Sequence, residues 1–477
     1  MKISLIQPPV RDFYQTPHRH SALGCFSVQK ILETAGHEVK FYNFPVWQKQ
    51  VSTPPLPTEL YYLKPFLIPG ENGPVSWFHQ RKHFGPSFED CARVALKNNP
   101  DMIMISCFAW SYAEEAASMA RAIRRQAPGI PIEVGGAGPS VNPGWFKGSG
   151  LFDRVRTGQA EINLKDFPGV REDSQPVTPI VSPVEESFHG KPQFTTMLTR
   201  GCTARCSFCA NYLTLGREFR KTAADTIIKM LSDYGVEEFH LDMEDDNLLV
   251  DPDYFTDFLE RFHRRFPAAT LSAENGLDYQ KLSLSLAGKL IDWGFVKFNL
   301  SMASADSEIL AKQKRSSRLD HLSQLLIFFN DRKIPVITYF ICGLQGDTVD
   351  SVCRNMGFLA GQHTEIGISP FYAVPGLPGF EHPGTGNQPE SPVLYCGSSV
   401  YPWNGNLTTA QLITAFRLCR LINLLKSPAT EQWKELTDRI ITEDKLYTTT
   451  GKGQKKTLLE VPHMDNEMTR KVLQYFK

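Results

Sequence analysis

The feature that most constrains this chain is a recurring alternation of short apolar runs with helical stretches, interrupted once by a segment without periodicity. Strands alternating with helices build a parallel sheet covered by helices. In the first run, residues 2–6, 39–44, 102–107, 131–134 and 153–156 read as strands, with helices over 21–34 and 112–126. Gly36 falls where a helix C-cap belongs, and Pro128-Gly129 stops the second helix. Residues 1–165 therefore read as a Rossmann-like, doubly wound parallel sheet. Within it, 45–86 reads as an insertion carrying Trp47, Tyr61, Tyr62, Phe66, Trp77 and Phe78. So many aromatics argue against disorder. The stretch is expected to pack on a neighbouring domain or over a ligand, or to form a surface loop with its own small cluster.

Residues 166–193 are rich in Pro, Ser and acidic residues and read as a linker. A second alternation follows, with strands at 194–199, 237–241, 270–274, 296–300, 335–341 and 365–370. Six such units over 194–378 predict a partial (β/α)6 barrel of the TIM type, with its chemistry at the C-terminal ends of the strands. The remainder, 379–477, reads as a small, mostly helical region. The fold class is thus α/β throughout, apart from that tail.

The 51 basic and 51 acidic residues leave no charge excess to attract nucleic acid or a membrane surface. The opening MKISLIQPPV is too short an apolar run for a signal peptide or a membrane span, so a cytoplasmic protein is expected. Ten cysteines are too few and too scattered for a disulfide framework. Seven of them stand alone and read as small buried hydrophobes. The other three, Cys202, Cys206 and Cys209, lie in Arg200-Gly-Cys-Thr-Ala-Arg-Cys-Ser-Phe-Cys-Ala210, directly after the first strand predicted for the barrel. Three thiolates there can hold a cluster and leave one iron open, whereas a structural zinc site normally fills four positions. A zinc knuckle is the competing reading.

The spacing C-x-x-x-C-x-x-C with Phe208 before the last cysteine resembles the signature of the radical S-adenosylmethionine superfamily. The resemblance implies a [4Fe-4S] cluster on the three cysteines and S-adenosylmethionine as cofactor. Its further implied contacts are Phe208, then Met243 and Glu244 within the acidic run Asp242–Asn247. Ser301 or Ser304 would stand in for a ribose contact, because Ala303 occupies the place where relatives often carry Glu or Gln. Gly343 lies in the turn implied to approach adenine.

The order Gln7-Pro8-Pro9, then Ser106, Gly135-Gly136-Ala-Gly138 and Gly158-Gln159-Ala160-Glu161 resembles the N-terminal cobalamin-binding domain of one subgroup of that superfamily. Implied cobalamin contacts are Gln7, Pro8, Ser106, Gly135, Gly136, Gly138 and Gly158. No Asp-x-His-x-x-Gly motif is present, so that source of a lower axial histidine is lacking; His18 and His20 read as ordinary loop residues. The implied function is reductive cleavage of S-adenosylmethionine to a 5′-deoxyadenosyl radical, for cobalamin-dependent methylation of an unactivated carbon. Radical cyclisation, rearrangement or oxidation fits the same motifs, and a redox or sensing module is the non-enzymatic alternative. An external flavodoxin- or ferredoxin-type electron donor and a small-molecule or peptide substrate are implied as partners.

Overall fold

The computed structural model describes residues 1–13, 22–47, 52–68, 75–78, 80–171, 177–384, 388–426, 445–449, 455–460 and 464–476. His18 and His20, with parts of the 45–86 insertion and of the C-terminal tail, lie outside the described residues. Among the described residues no helix is long and apolar enough to cross a membrane.

The first strands are β1 (Lys2–Gln7), β2 (Val10–Asp12), β3 (Glu38–Asn43), β4 (Lys82–Phe84), β5 (Met102–Ser106), β6 (Ile132–Gly135) and β7 (Arg154–Val155). All but β2 and β4 form one parallel sheet in the order β3-β1-β5-β6-β7. β5 is the unbroken apolar run Met-Ile-Met-Ile, as a strand buried on both faces should be. Met102 and Met104 pack with Ile3, Leu5 and the helix Leu23–Thr34, whereas Ile103 and Ile105 face the helices Phe88–Leu96 and Ala113–Gln126. The inserted aromatics pack on the C-terminal region. Trp77 meets Phe416 edge-on at 4.9 Å, and the Tyr62 hydroxyl donates to the Ser399 carbonyl at 2.6 Å.

The second set comprises β8 (Val181–Phe188), β9 (Lys191–Thr196), β10 (Thr199–Arg200), β11 (Arg220–Lys221), β12 (His240–Met243), β13 (Thr270–Ser272), β14 (Phe298–Ala303), β15 (Val336–Cys342) and β16 (Glu365–Pro370). Sheets ordered β13-β12-β9-β8 and β14-β15-β16 meet through parallel bridges from Leu271 to Phe295 and from Leu277 to Leu300. Strands β9, β12, β13, β14, β15 and β16 thereby make the open, six-stranded parallel barrel. Its covering helices are locally encoded. In Pro252–Arg265 the Asp251 side chain caps the Tyr254 N–H, Phe255, Phe258, Leu259 and Phe262 form the buried stripe, and His263, Arg264 and Arg265 close the last turn. Each of those buried side chains contributes about 2 kcal/mol of transfer free energy.

Two expectations are corrected. Residues 166–193 are not all linker, because β8 pairs antiparallel with β9 and extends the barrel wall. Pro183 is tolerated there because β8 is an edge strand. The tail is helical over Thr409–Lys426 and Asn466–Leu473, but between them Lys445–Thr449 and Lys455–Glu460 form an antiparallel pair. The aromatic and β-branched run Tyr447-Thr448-Thr449 favours strand over helix there.

Candidate functional site

The cysteines lie on an excursion between β10 and β11, a two-residue antiparallel ladder that pairs Thr199 with Lys221 and Arg200 with Arg220. Gly201 starts the excursion at φ +84°, and a Cβ there would run into the Glu218 carbonyl. The turn after β12 holds the loop from beneath. Asp245 accepts the Leu198 N–H at 3.1 Å and both the N–H and hydroxyl of Thr199 at 2.6 Å. Asp246 accepts the Gly201 N–H at 3.0 Å and the Asn211 side-chain amide at 2.7 Å. Asn247 donates to Cys202 Sγ at 3.8 Å. Burial pushes the Asp245 carboxyl up to about 7, with the Thr199 and Leu198 donors pulling it back.

Cys202, Cys206 and Cys209 line one cavity of about 420 Å³ at the barrel mouth. Among the described residues no group of His, Cys, Asp or Glu is drawn together tightly enough to hold a single metal ion. Three thiols on the wall of one cavity suit a cluster that takes three protein ligands. Phe208 and Ser301 line the same cavity.

The other residues expected to meet S-adenosylmethionine do not line that cavity. Met243 is fully buried in the barrel core. The Glu244 N–H is bonded to the Thr196 carbonyl. Ser304 is fully buried, donating to Asn355 Oδ1 at 3.3 Å and accepting the Asp306 N–H at 3.1 Å. Gly343 donates to Asp347 and accepts from the Asn404 side chain at 2.7 Å, and a Cβ there would stand 3.3 Å from Leu412, so it faces the C-terminal region.

Sequence reasoning missed Asn275, Gly276, Asp278, Lys314 and Arg315, which line the cavity with Asp246 and Asn247. Asn275 and Gly276 lie in the loop after β13, where the barrel rule places chemistry. Arg315 had no local signal; it reaches the Ser301 carbonyl at 2.6 Å from beyond a separate helix, Ser307–Lys312.

A second cavity of about 300 Å³ lies in the N-terminal domain, between its sheet and the helix Leu23–Thr34. Ser106, Gly135, Gly136 and Gly158 line it. Gly136 sits at φ +109°, where a Cβ would stand 2.6 Å from the Cys107 carbonyl oxygen, so the strand end and the next turn close up only around glycine. The Ser140 hydroxyl bridges the two glycine turns, donating to the Gly136 carbonyl at 2.7 Å and accepting the Gly158 N–H at 2.8 Å. Three of the expected contacts lie off this lining. Gln7 is buried and accepts from the Cys25 thiol, Pro8 is buried beside it, and Gly138 packs where a Cβ would meet Cys107 Sγ at 2.5 Å. None of the three lines the cavity. A smooth, glycine-rich groove beside an apolar sheet face suits the nucleotide tail of a corrinoid.

The two cavities adjoin. Arg200, Thr214 and Leu215, at the two ends of the cysteine loop, line the N-terminal cavity, while Cys202 to Tyr212 contribute to the other.

Comparison with known proteins agrees with this division. Residues 78–164 match the B12 binding domain family and residues 196–359 the Radical SAM superfamily. The chain is 23% identical over 195 residues to cytidylyl-2-hydroxyethylphosphonate methyltransferase of Streptomyces wedmorensis, covering 38% of this chain and 35% of that protein. It is 26% identical over 193 residues to bacteriochlorophyllide d C-12(1)-methyltransferase of Chlorobaculum tepidum, covering 39% and 41%. These matches span well under half the length of either relative. In fold, the chain resembles the radical S-adenosylmethionine methyltransferase TsrM of Kitasatospora setae, solved with cobalamin and a [4Fe-4S] cluster, at a TM-score of 0.59 and 15% identity over 90% of this chain and 92% of that one. It also resembles the cobalamin-dependent S-adenosylmethionine radical enzyme OxsB, at a TM-score of 0.51 and 13% identity over 75% and 52%. The chain therefore joins a B12 binding domain, over residues 78–164, to a Radical SAM domain, over residues 196–359, a pairing whose cofactors are cobalamin, a [4Fe-4S] cluster and S-adenosylmethionine.

Proposed function

We propose that this protein is a cobalamin-dependent methyltransferase that methylates an unactivated carbon of a small-molecule or peptide substrate by radical chemistry. The observation that carries the reading is the shared wall: the two ends of the cysteine loop line the corrinoid cavity, and the rest of the loop lines the cluster cavity. When bound, the three cofactors supply an electron, a radical precursor that is also the methyl source, and a methyl carrier.

The chain's own residues position and shield that chemistry. Cys202, Cys206 and Cys209 would hold the cluster, and three protein ligands would leave it able to take S-adenosylmethionine. Asn247 donates to Cys202 Sγ, and hydrogen bonds to cluster sulfurs are one of the levers that set a cluster's potential. Asp278 on the cavity wall can meet an ammonium group, and Lys314 and Arg315 a carboxylate. Phe208 supplies an apolar face beside the cluster ligands.

Tyr372, just past the end of β16, marks the substrate space. Its side chain is 45% exposed, yet burial by the surrounding protein raises its hydroxyl pKa, with the Cys396 and Cys209 thiols adding to the rise. A neutral, partly exposed phenol here can donate a hydrogen bond to a substrate. Gly397 packs against the same ring, where a Cβ would stand 3.6 Å from it.

The test is to incubate the reduced, reconstituted protein with hydroxocobalamin and S-adenosylmethionine labelled in its methyl group. Label recovered with the corrinoid is the expected result. Label confined to methionine and unreacted S-adenosylmethionine removes methyl transfer from the account.

A further inference from the structure

Arg200 immediately precedes the Gly201-Cys202 turn, yet its side chain crosses into the N-terminal domain. It is 7% exposed, and Nη2 donates to Ser27 Oγ, on the helix Leu23–Thr34, at 2.9 Å. Glu161 Oε1 lies 3.8 Å from Nη2, too far for a hydrogen bond, and accepts the Thr178 N–H at 3.0 Å. Arg200 Nε is buried with no partner among the described residues. Gln159, 9% exposed, donates its amide N–H to the Leu215 carbonyl, while its Oε1 is likewise buried and unpartnered.

Both residues line the corrinoid cavity. A buried donor and a buried acceptor left unpaired in one cavity lose their hydration without return, and native proteins seldom keep them so. A ligand that brings both an acceptor and a donor satisfies the pair. The cavity wall is apolar at Leu5, Val28, Met104, Val134 and Leu164, and its other charged side chains are Glu161 and the ion-paired Arg156 and Glu133. The nucleotide tail of cobalamin has an aromatic base for such a wall, ribose hydroxyls that donate, and one anionic group, its phosphodiester.

We propose that Arg200 binds the phosphodiester of the cobalamin nucleotide tail and that Gln159 Oε1 accepts from a tail hydroxyl. The residue that leads into the cluster loop is then itself a corrinoid-binding residue, supplied by the barrel. The geometry follows from chemistry, since a guanidinium is suited to a phosphate and holds its charge when buried. Occupation of the tail cavity secures Thr199–Arg200 and, through it, the start of the cysteine loop. The inference rests on the corrinoid reading above and extends it to Arg200, a residue outside the matched B12 domain.

The experiment measures equilibrium binding of hydroxocobalamin, and of cobinamide, which lacks the phosphate, ribose and base. It uses the full chain as wild type and as Arg200→Gln, Arg200→Lys and Gln159→Leu variants. Arg200→Gln should weaken cobalamin about tenfold or more and leave cobinamide unchanged. Arg200→Lys should recover part of the loss, and Gln159→Leu should weaken cobalamin alone by a few-fold. Circular dichroism and iron content check folding, and Gln159→Leu tests the cavity independently should the Arg200 variants not fold. Equal losses for both corrinoids, or no loss in any variant, overturn the inference while the corrinoid reading stands. A wild-type chain that binds neither corrinoid overturns that reading, and the inference with it.

Discussion

Replacing Cys202, Cys206 or Cys209 by alanine removes one of three protein ligands from the cluster cavity without touching the barrel core. Each single variant should lose the cluster, read as iron and sulfide content and as the broad visible absorption, and form no 5′-deoxyadenosine. Far-ultraviolet circular dichroism should be unchanged. Asp245→Ala should act on the same loop from a distance. It leaves the buried Leu198 and Thr199 N–H groups unpaired, which costs about 3 kcal/mol and lowers iron retention, whereas Asp245→Asn keeps an acceptor and loses less. A denaturation midpoint and iron content measured on the same preparation distinguish the two variants. The triad was legible from its spacing alone. The acidic run Asp242–Asn247 was legible as important but not in role, because its sequence suits an ammonium site and a loop brace equally well. Only the partners of Asp245 and Asp246 decide between them.

His240 gives a second residue-scale expectation. Its ring stacks on Phe188 at 3.7 Å between centroids, with Nδ1 3.0 Å from Thr270 Oγ1 and Nε2 2.9 Å from Ser272 Oγ. Burial lowers its pKa from 6.5 to about 3, with Lys297 adding to the shift. The unfolded chain therefore binds more protons than the folded one between those values. The contribution is complete above pH 6.5 and is lost as pH falls toward 3. The urea midpoint should drop between pH 7 and pH 5 more steeply in the wild type than in His240→Gln. Equal slopes would mean that His240 is not held neutral.

Among the elements, the two glycine turns differ in what they support. Gly201→Ala places a Cβ against the Glu218 carbonyl at a positive φ, costs about 2 kcal/mol or more, and should release iron. Gly136→Ala meets the Cys107 carbonyl instead and should impair corrinoid binding while leaving the cluster in place. Thermal midpoints with both cofactor contents measured separate these outcomes. The parallel strands were readable because strands buried on both faces are unbroken apolar runs of the kind seen in β5. β8 was not, since an edge strand containing Pro183 and Ser182 carries little of that signal. The tail pair Lys445–Thr449 and Lys455–Glu460 was misread because lysines and leucines spaced through it suggest a helix, while its pairing is a non-local fact. Gly138 shows the limit of reading glycines as a groove: it answers to Cys107 beneath it, not to a ligand.

For the whole molecule, one continuous hydrophobic core runs from Ile103 and Ile105 of the N-terminal sheet through the barrel to Leu418 and Ile422 of the C-terminal helix. The polar seam of Arg200, Ser27 and Glu161, and the bond from Gln159 to Leu215, tie the N-terminal domain to the base of the cysteine loop. That seam could not be read from the chain, because its members are distant in sequence and none belongs to a motif for the other domain. The central claim is that one chain holds a corrinoid and a cluster in adjoining cavities. It is tested most directly by anaerobic purification with a corrinoid supplied, followed by optical and paramagnetic resonance spectra and metal analysis of wild type and Cys202→Ala. The account predicts one corrinoid and one [4Fe-4S] cluster per wild-type chain, with the corrinoid retained and the cluster lost in the variant. A wild-type chain that carries the cluster and no corrinoid would contradict it.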